Sequence, residues 1–196
     1  MKSIGAIGVI IILILAIFGI GGCSYNGLVK KEEAVSSAWG QVENVYQRRS
    51  DLIPNLVSTV KGAANFEKET LTAVIQARAS ATQVKIDPTN LTPESMQKFE
   101  QAQSGVSSAL SRLLVSVERY PELKANQNFR DLQVQLEGTE NRITEERRKF
   151  NLVVQDYNSS VRSFPNNLMA GMFGFDKKAY FEAITEGAEK APEVAF

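Results

Sequence analysis

The sequence predicts an all-α protein: an elongated antiparallel up-and-down four-helix bundle that follows an N-terminal membrane segment and ends with a short C-terminal helix. Residues 4–22 carry no charge, and about 20 apolar residues suffice to cross a bilayer. Beyond residue 25, apolar side chains recur every seven residues, which is typical of helices packed along their length and not of strands. The connections near 85–91 and 120–126 are short and favour antiparallel neighbours.

The chain divides into residues 1–24, the apolar membrane segment or lipoprotein signal, residues 25–163, the bundle, and residues 164–196, a partly irregular tail. Two interpretations of the N-terminal part stay open. Ile20-Gly21-Gly22-Cys23 resembles a lipobox, and cleavage there would leave Cys23 as the lipidated N-terminus. Alternatively, the segment stays in place as a signal-anchor helix. Either interpretation tethers the bundle to membrane lipid at its N-terminus.

Four segments show the helical period: 25–49, 52–84, 93–119 and 126–163. The last is the clearest, and its main apolar row consists of Phe129, Leu136, Ile143, Phe150 and Tyr157. Thr92 is placed to cap the third helix, with Pro93 in its first turn. Trp39, among apolar helical positions, is expected in the core.

Pro54 leaves the first reversal ambiguous. A proline is tolerated in the first turn of a helix but costs about 3 kcal/mol in the interior. If Asp51 caps a new helix, the reversal lies at residues 48–54. In the alternative, one helix continues past Pro54 and the reversal lies at 62–67. We favour the first, because it gives four helices of comparable length.

A reversal at 48–54 would bring this stretch beside residues 119–126 at the membrane-distal end. Arginine and tyrosine are enriched where protein surfaces bind partners. The candidate partner site consists of Arg48, Arg49, Asp51, Asn55, Arg119, Tyr120, Glu122, Lys124 and Asn126. The alternative is that these residues only cap helices and hold two turns together.

The tail combines a proline break with methionine and phenylalanine, and a short helix is expected at 177–189. Four helices return the chain to its anchored end, so the tail should begin beside the bilayer. Its apolar residues would be costly if exposed to water. They are therefore expected on the bundle base or in the lipid interface: Leu168, Met169, Met172, Phe173 and Phe175.

Composition excludes several classes of chemistry. The chain has no histidine and one cysteine, which removes His-based catalysis and Cys/His zinc sites. Lys plus Arg balance Asp plus Glu at 22 each, so no net field attracts nucleic acid.

Several polar residues lie on or near the apolar rows. Glu67 and Glu146 are expected at the surface or paired with arginines, and Gln103 is expected to act as a register device. Glu140 and Arg142 are expected to form interhelical ion pairs. We expect no cofactor, no metal and no enzymatic activity.

The ordered motifs are similar to those of the LemA family. They include Tyr25-Asn26, Ala38-Trp39, QRRSDLIPNLVSTVKG, RYPELKANQNF, LQVQLEGTENRI, YNSSVRSFP and FGF at 173–175. The resemblance covers nearly all of the chain after residue 24. It implies a helical bundle behind an N-terminal membrane segment, without an enzymatic role established for the family. It also implies a cell-envelope setting, with TPM-domain proteins or membrane proteases as candidate partners.

Together these observations predict a non-catalytic scaffold or adaptor in the bacterial envelope, anchored by its N-terminus with the bundle on the extracytoplasmic side. The first alternative is a membrane-remodelling or self-assembling peripheral protein whose tail inserts in lipid. A carboxylate-only enzyme is the least favoured alternative, because nothing in the sequence assembles an acid–base pair.

The lipobox interpretation predicts that Cys23 carries lipid in the mature protein. Intact-mass measurement on membrane-extracted protein should show loss of residues 1–22 and a lipid adduct. Cys23→Ser should leave an unprocessed precursor. A retained Met1 with an unmodified thiol would show that the segment is a signal anchor.

Overall fold

The computed structural model describes residues 2–62 and 66–182, with side chains from residue 21 onward. The helices are α1 (Lys2–Lys61), α2 (Lys68–Gln83), α3 (Pro93–Val117), α4 (Pro121–Ala125), α5 (Gln127–Arg162) and α6 (Asn166–Phe173). No strand occurs in the described ranges. The predicted all-α bundle is confirmed.

The bundle is built from two antiparallel helix pairs. α1 packs along most of its length on α5, and α2 packs on α3. α2 is much shorter than α1, so it covers only the half of the bundle farther from the N-terminus. In the other half, the 84–92 connection and residues 175–182 of the tail take its place against α1 and α5.

The buried apolar side chains form two clusters, one above the other. The base core, nearer the N-terminal end of α1, surrounds Trp39 and includes Phe99, Phe150 and Phe181. The distal core is formed by residues such as Ile53, Val74, Leu113 and Phe129. Trp39 is buried in the base core as predicted.

The predicted turn at residues 48–54 is wrong, because α1 continues through Pro54 to Lys61. A proline has no N–H for the carbonyl four residues earlier, which here belongs to Ser50. Arg78 of α2 supplies the missing donor: its Nε lies 2.9 Å from the Ser50 oxygen. Asp51 does not cap a helix but accepts a hydrogen bond from Gln47, one turn earlier in α1.

The reversal that follows α1 lies between Lys61 and Lys68 instead. The predicted start of α3 is confirmed: Thr92 is the N-cap, and it exchanges hydrogen bonds with Ser95 in a capping box. Pro93 occupies the first turn. At α5 the side chain of Asn126 caps the helix by accepting from the Phe129 N–H.

The tail differs from its prediction in two places. Residues 166–173 form α6, where irregular chain was expected, and Gly174 ends this helix with φ +76°. Residues 176–182 are not helical, because asparagine side chains of α5 bind the backbone N–H and C=O groups of Lys178 and Phe181. The remainder of the predicted 177–189 helix lies outside the described residues.

Where side chains are described, no helix combines the length and the apolar character needed to cross a membrane. The predicted membrane segment, residues 1–24, falls almost entirely before that range and stays a prediction. Its backbone from Lys2 onward belongs to α1.

The helix face assigned to α5 can be tested by a pair of substitutions. Ile143 is 4% exposed in the base core, so Ile143→Asp places an unpaired charge among apolar side chains. We expect it to lower the free energy of unfolding by about 3 kcal/mol or more. Ser159 is exposed on the same helix, and Ser159→Asp should cost less than about 0.5 kcal/mol. Equal melting temperatures for the two variants would refute the assignment.

Candidate functional site

Arg49 lies where the base core meets the distal core, and only 2% of it is exposed. It occupies an otherwise apolar row of α1, with Val42 one heptad before it and Leu56 one heptad after it. Burial of a guanidinium is unfavourable unless every side of it finds a partner. The partners come from α3 and α5, and we call this set of contacts the Arg49 junction.

Three side chains hold the Arg49 guanidinium. Its Nη1 donates to Glu140 Oε1 at 2.6 Å and to Ser107 Oγ at 2.8 Å. Its Nη2 donates to Gln103 Oε1 at 2.7 Å and to the Gln103 carbonyl at 3.2 Å. The ring of Tyr46, one turn earlier in α1, lies 5.2 Å from the guanidinium carbon. Gln103, predicted as a register device, is a hydrogen-bond partner of Arg49, and its role in setting the register stays a prediction.

A second ion pair lies below the junction. Arg147 Nη2 is 2.8 Å from Glu100 Oε1, and both side chains are largely buried. Burial raises the pKa of the Glu100 carboxyl, against the lowering effect of Arg147. Burial likewise raises the pKa of the Tyr46 phenol, although Arg147 and Arg49 act in the opposite direction. The charges of this region therefore influence one another across three helices.

Two clefts border the Arg49 junction. One, of about 350 Å³, lies on the α2 side and is lined by Tyr46, Arg49 and Arg78. The other, of about 490 Å³, lies between α3 and α5 and is lined by Glu100, Glu140 and Arg147. Each of these glutamates binds an arginine. Across residues 21–62 and 66–182, no three acidic or cysteine side chains converge to hold a metal ion. The geometry thus favours a structural role for these charges.

The nine residues of the candidate partner site do not come together. Arg48, Arg49, Asp51 and Asn55 lie within the continuous α1, and Arg49 is buried in the junction. Glu140, its ion-pair partner, follows Asn126 by 14 positions in α5, a rise of roughly 21 Å. Arg49 is therefore remote from Asn126, and the tip that the turn would have formed does not exist. The physical reason is the continuation of α1 past Pro54.

The second half of the candidate site does lie at the distal end, beside a different stretch of chain. Arg119 Nη2 is 2.6 Å from Glu67 Oε1, and the ring centroid of Tyr120 lies 4.9 Å from that of Phe66. Lys124 pairs with Glu118 at 2.5 Å. Glu122 is exposed. These contacts close the connection between α3 and α5, residues 118–126, which we call the distal turn. Partner binding by Arg119, Tyr120, Glu122, Lys124 or Asn126 stays a prediction.

Other pairings predicted from the sequence have clear outcomes. The predicted interhelical ion pair of Glu140 is confirmed with Arg49 as the partner, whereas Arg142 is exposed. Glu67 pairs with an arginine as expected, although the partner is Arg119. Glu146 lies 2.8 Å from Lys149 on the surface of α5.

The opposite end of the bundle is apolar at its surface. α6 lies beside residues 21–25 of α1, where the described side chains begin: the rings of Tyr25 and Phe173 are 5.0 Å apart, and a Cβ at Gly21 would lie 3.7 Å from Met169 Cε. Phe164 and Met172 are 81% and 76% exposed. Leu168 and Phe173 are also exposed, whereas Met169 and Phe175 pack on the base core. We call the exposed set, Phe164, Leu168, Met172 and Phe173, the base patch.

Sequence reasoning missed the residues that hold the tail. Asn151 and Asn158 of α5 bind the backbone of Phe181 and Lys178. The two asparagines are seven residues apart, each next to the apolar row of Phe150 and Tyr157. Polar residues that repeat with the core period were the available signal.

Comparisons with known proteins agree with the motifs. The protein LemA of Metamycoplasma hominis is 24% identical over 158 residues, which cover 81% of this chain and 68% of that protein. Magnetosome protein MamQ 2 of Paramagnetospirillum magneticum is 25% identical over 180 residues, covering 83% of this chain and 66% of that protein. Magnetosome protein MamQ of Magnetospirillum gryphiswaldense shows the same identity and coverage.

The chain therefore spans about two thirds of the length of the curated relatives that it matches. The names of these relatives state no enzymatic activity. The model of the LemA family matches residues 38–196, which include most of the bundle and the whole tail. The chain belongs to the LemA family.

Proposed function

We propose that this protein is a membrane-tethered, non-catalytic scaffold or adaptor of the bacterial cell envelope, with its bundle on the extracytoplasmic side. The observation that carries the proposal is the contrast between the two ends of the bundle. The base presents exposed apolar side chains beside α1, and the distal end is a turn closed by ion pairs. The base is therefore suited to contact with lipid, and the distal end to contact with water.

The base patch supports tethering because of where it lies. An exposed apolar cluster is unfavourable in water and commonly marks a site of interaction. α6 packs against α1 at Gly21 and Tyr25, where the uncharged run of residues 4–22 ends. If that run enters the bilayer, the base patch reaches the lipid interface, where apolar side chains on a short helix are stabilised.

The interior of the bundle supports a scaffold in preference to an enzyme. Arg49 and Arg147 are each bound to a glutamate, and the two cores are packed with apolar side chains. From Tyr25 to Lys61, α1 rises roughly 54 Å. A rod of this length would hold the distal turn well clear of the lipid headgroups, where a second envelope protein can reach it.

The relatives support membrane association, without indicating a scaffold or adaptor role. Two of those compared are magnetosome proteins, which fits a membrane-associated role for this chain. The resemblance to the family suggests a TPM-domain protein or a membrane protease as the partner. We propose the distal turn, with Glu122 and Lys124 at its surface, as the surface that such a partner contacts.

Membrane remodelling is the second candidate, and the base patch is the observation that favours it. Several apolar side chains inserted in one leaflet would expand that leaflet. The full chain reconstituted in phosphatidylcholine vesicles of uniform size should leave the vesicle diameter unchanged if it is a scaffold. Tubules or smaller vesicles in electron micrographs would favour remodelling.

Lipid contact by the base patch can be tested with the full chain. Met172 and Val134 are both exposed apolar residues, at the base and on the distal half of α5 respectively. Each is replaced by the photo-crosslinking amino acid benzoylphenylalanine in protein reconstituted in phosphatidylcholine vesicles. We expect phospholipid adducts at position 172 and none at position 134. Equal labelling at the two positions, or none at 172, would contradict the proposed orientation.

The adaptor role can be tested in native membranes. Benzoylphenylalanine at Glu122, in the distal turn, should give one discrete adduct with an envelope protein. The matched position is Gln155, which is exposed on the half of α5 nearer the base and should give no such adduct. Identical adduct patterns at both positions, or none at Glu122, would contradict a distal partner site.

A further inference from the structure

Residues 175–182 have no regular secondary structure and lie in a groove between α1, α5 and the 84–92 connection. The Asn158 side chain binds both backbone polar groups of Lys178: its Nδ2 donates to the carbonyl at 2.8 Å, and its Oδ1 accepts from the N–H at 2.9 Å. Asn151 holds the backbone of Phe181 in the same way, at 3.0 and 2.9 Å. We call residues 175–182 the strap and the surface beneath it the strap groove.

The spacing of the two asparagines matches an extended chain. They are seven residues apart on α5, which is two turns and a rise of about 10.5 Å. Lys178 and Phe181 are three residues apart, which is about 10 Å in an extended backbone. The two asparagines of α5 therefore lie at a distance that three residues of extended chain can span.

Further contacts reach the backbone of the strap. The Ala179 N–H donates to the Leu91 carbonyl at 3.0 Å. At Glu182 the carbonyl accepts from Arg147 at 2.9 Å, and the N–H donates to Glu100 Oε1 at 3.2 Å. Contacts to the backbone do not depend on the side chains of the bound segment, and they fix its direction and register.

Two side chains of the strap enter specific sites. Lys178 is 6% exposed; its Nζ lies 2.8 Å from Glu32 Oε1 and also donates to the Thr89 carbonyl. Phe181 stacks on Trp39 at 5.9 Å between ring centroids and meets the ring of Phe150 at 5.3 Å. The groove thus recognises an extended chain with a lysine and, three residues later, an aromatic ring.

The strap joins the rest of the fold through α6 and Gly174. The positive φ of Gly174 is a conformation that glycine adopts without strain. A rotation at this residue can redirect the strap while α6 stays packed on α1. A second copy anchored in the same membrane would hold its own strap and groove at the same height above the bilayer.

We infer that the strap groove is a peptide-binding site that also receives the strap of a second copy of this chain, so that anchored copies exchange straps. The contacts within one chain and between two chains are the same, which makes exchange a low-cost route to a dimer. Tethering in one membrane raises the effective concentration of the second strap. The inference rests on the proposed membrane tethering, which the lipid adduct at position 172 tests separately.

Reversal of one ion pair distinguishes exchange from a permanently fixed strap. Glu32→Lys and Lys178→Glu each place like charges together in the groove of a single chain. In a mixture of the two full-length variants, the strap of the Lys178→Glu chain meets an opposite charge in the groove of the Glu32→Lys chain. The strap of the Glu32→Lys chain keeps Lys178, and it meets the native Glu32 in the groove of the Lys178→Glu chain. With different tags on the two variants in phosphatidylcholine vesicles, we expect at least about tenfold more co-purification than when either variant is mixed with a differently tagged copy of itself, since like-charge contacts cost several kcal/mol.

Two control mixtures separate strap exchange from a general effect of the substitutions. Each single variant mixed with a differently tagged copy of itself should co-purify less than two tagged wild-type chains, because like charges then meet within and between chains. The double variant Glu32→Lys/Lys178→Glu should return to the wild-type level and recover the melting temperature lost by the single variants. A mixture of the two single variants that co-purifies no better than its controls would overturn the inference.

A measurement without charge reversal covers the case in which a single variant fails to fold. Tyr180 is partly exposed in the strap and borders a cleft lined by Pro93 and Gln97 of α3. Benzoylphenylalanine at this position keeps an aromatic side chain. In vesicles that hold two tagged forms, exchange predicts crosslinks from position 180 of one copy to the start of α3 in the other. Crosslinks within single chains alone would overturn the inference.

Discussion

The buried guanidinium of Arg49 is the constraint on which the arrangement of the long helices depends. α1 pairs with α5, and α2 with α3, but a pairwise arrangement does not by itself fix how the two pairs are aligned. Arg49 reaches from α1 to Gln103 and Ser107 of α3 and to Glu140 of α5. A buried charge is tolerated only where these partners meet it together, so one alignment of the helices satisfies it and shifted ones do not.

Other features of the bundle follow from this alignment. With Arg49 opposite Gln103, Tyr46 lies against Phe99 at 5.0 Å between ring centroids. With Arg49 opposite Glu140, Arg147 lies two turns further along α5, where it meets Glu100 and the end of the strap. Next to Arg49 in α1, the Ser50 carbonyl, which Pro54 leaves without a helical donor, accepts a hydrogen bond from Arg78. Polar groups at the meeting of the two cores thus act as specific contacts in a packing that apolar side chains alone would leave less defined.

The parts of the fold that the sequence predicted are those set by neighbouring residues. The Thr92 cap and the apolar row of α5 depend on residues three, four or seven positions apart, so both can be read from the chain. The continuity of α1 past Pro54 depends on Arg78, 28 residues away, and no local pattern contains it. The strap likewise depends on Asn151 and Asn158 of α5, which compete with helical hydrogen bonding in residues 178–182. At the candidate site, the position of Glu140 beside an apolar row was enough to predict that it forms an interhelical ion pair. The sequence did not identify Arg49 as its partner, because that depends on how α1 and α5 are aligned in the fold.

The alignment role of Arg49 is tested most directly by a double-mutant cycle with Glu140, in urea unfolding of the full chain followed by circular dichroism. The neighbour Arg48 is exposed and serves as the matched control. We predict that Arg49→Ala lowers the free energy of unfolding by about 2–4 kcal/mol, while Arg48→Ala changes it by less than about 0.5 kcal/mol. Because 45% of the Glu140 side chain is exposed to screening by water, the expected coupling energy is moderate, about 1 kcal/mol. Equal losses for Arg49→Ala and Arg48→Ala, with no coupling between Arg49 and Glu140, would contradict the account.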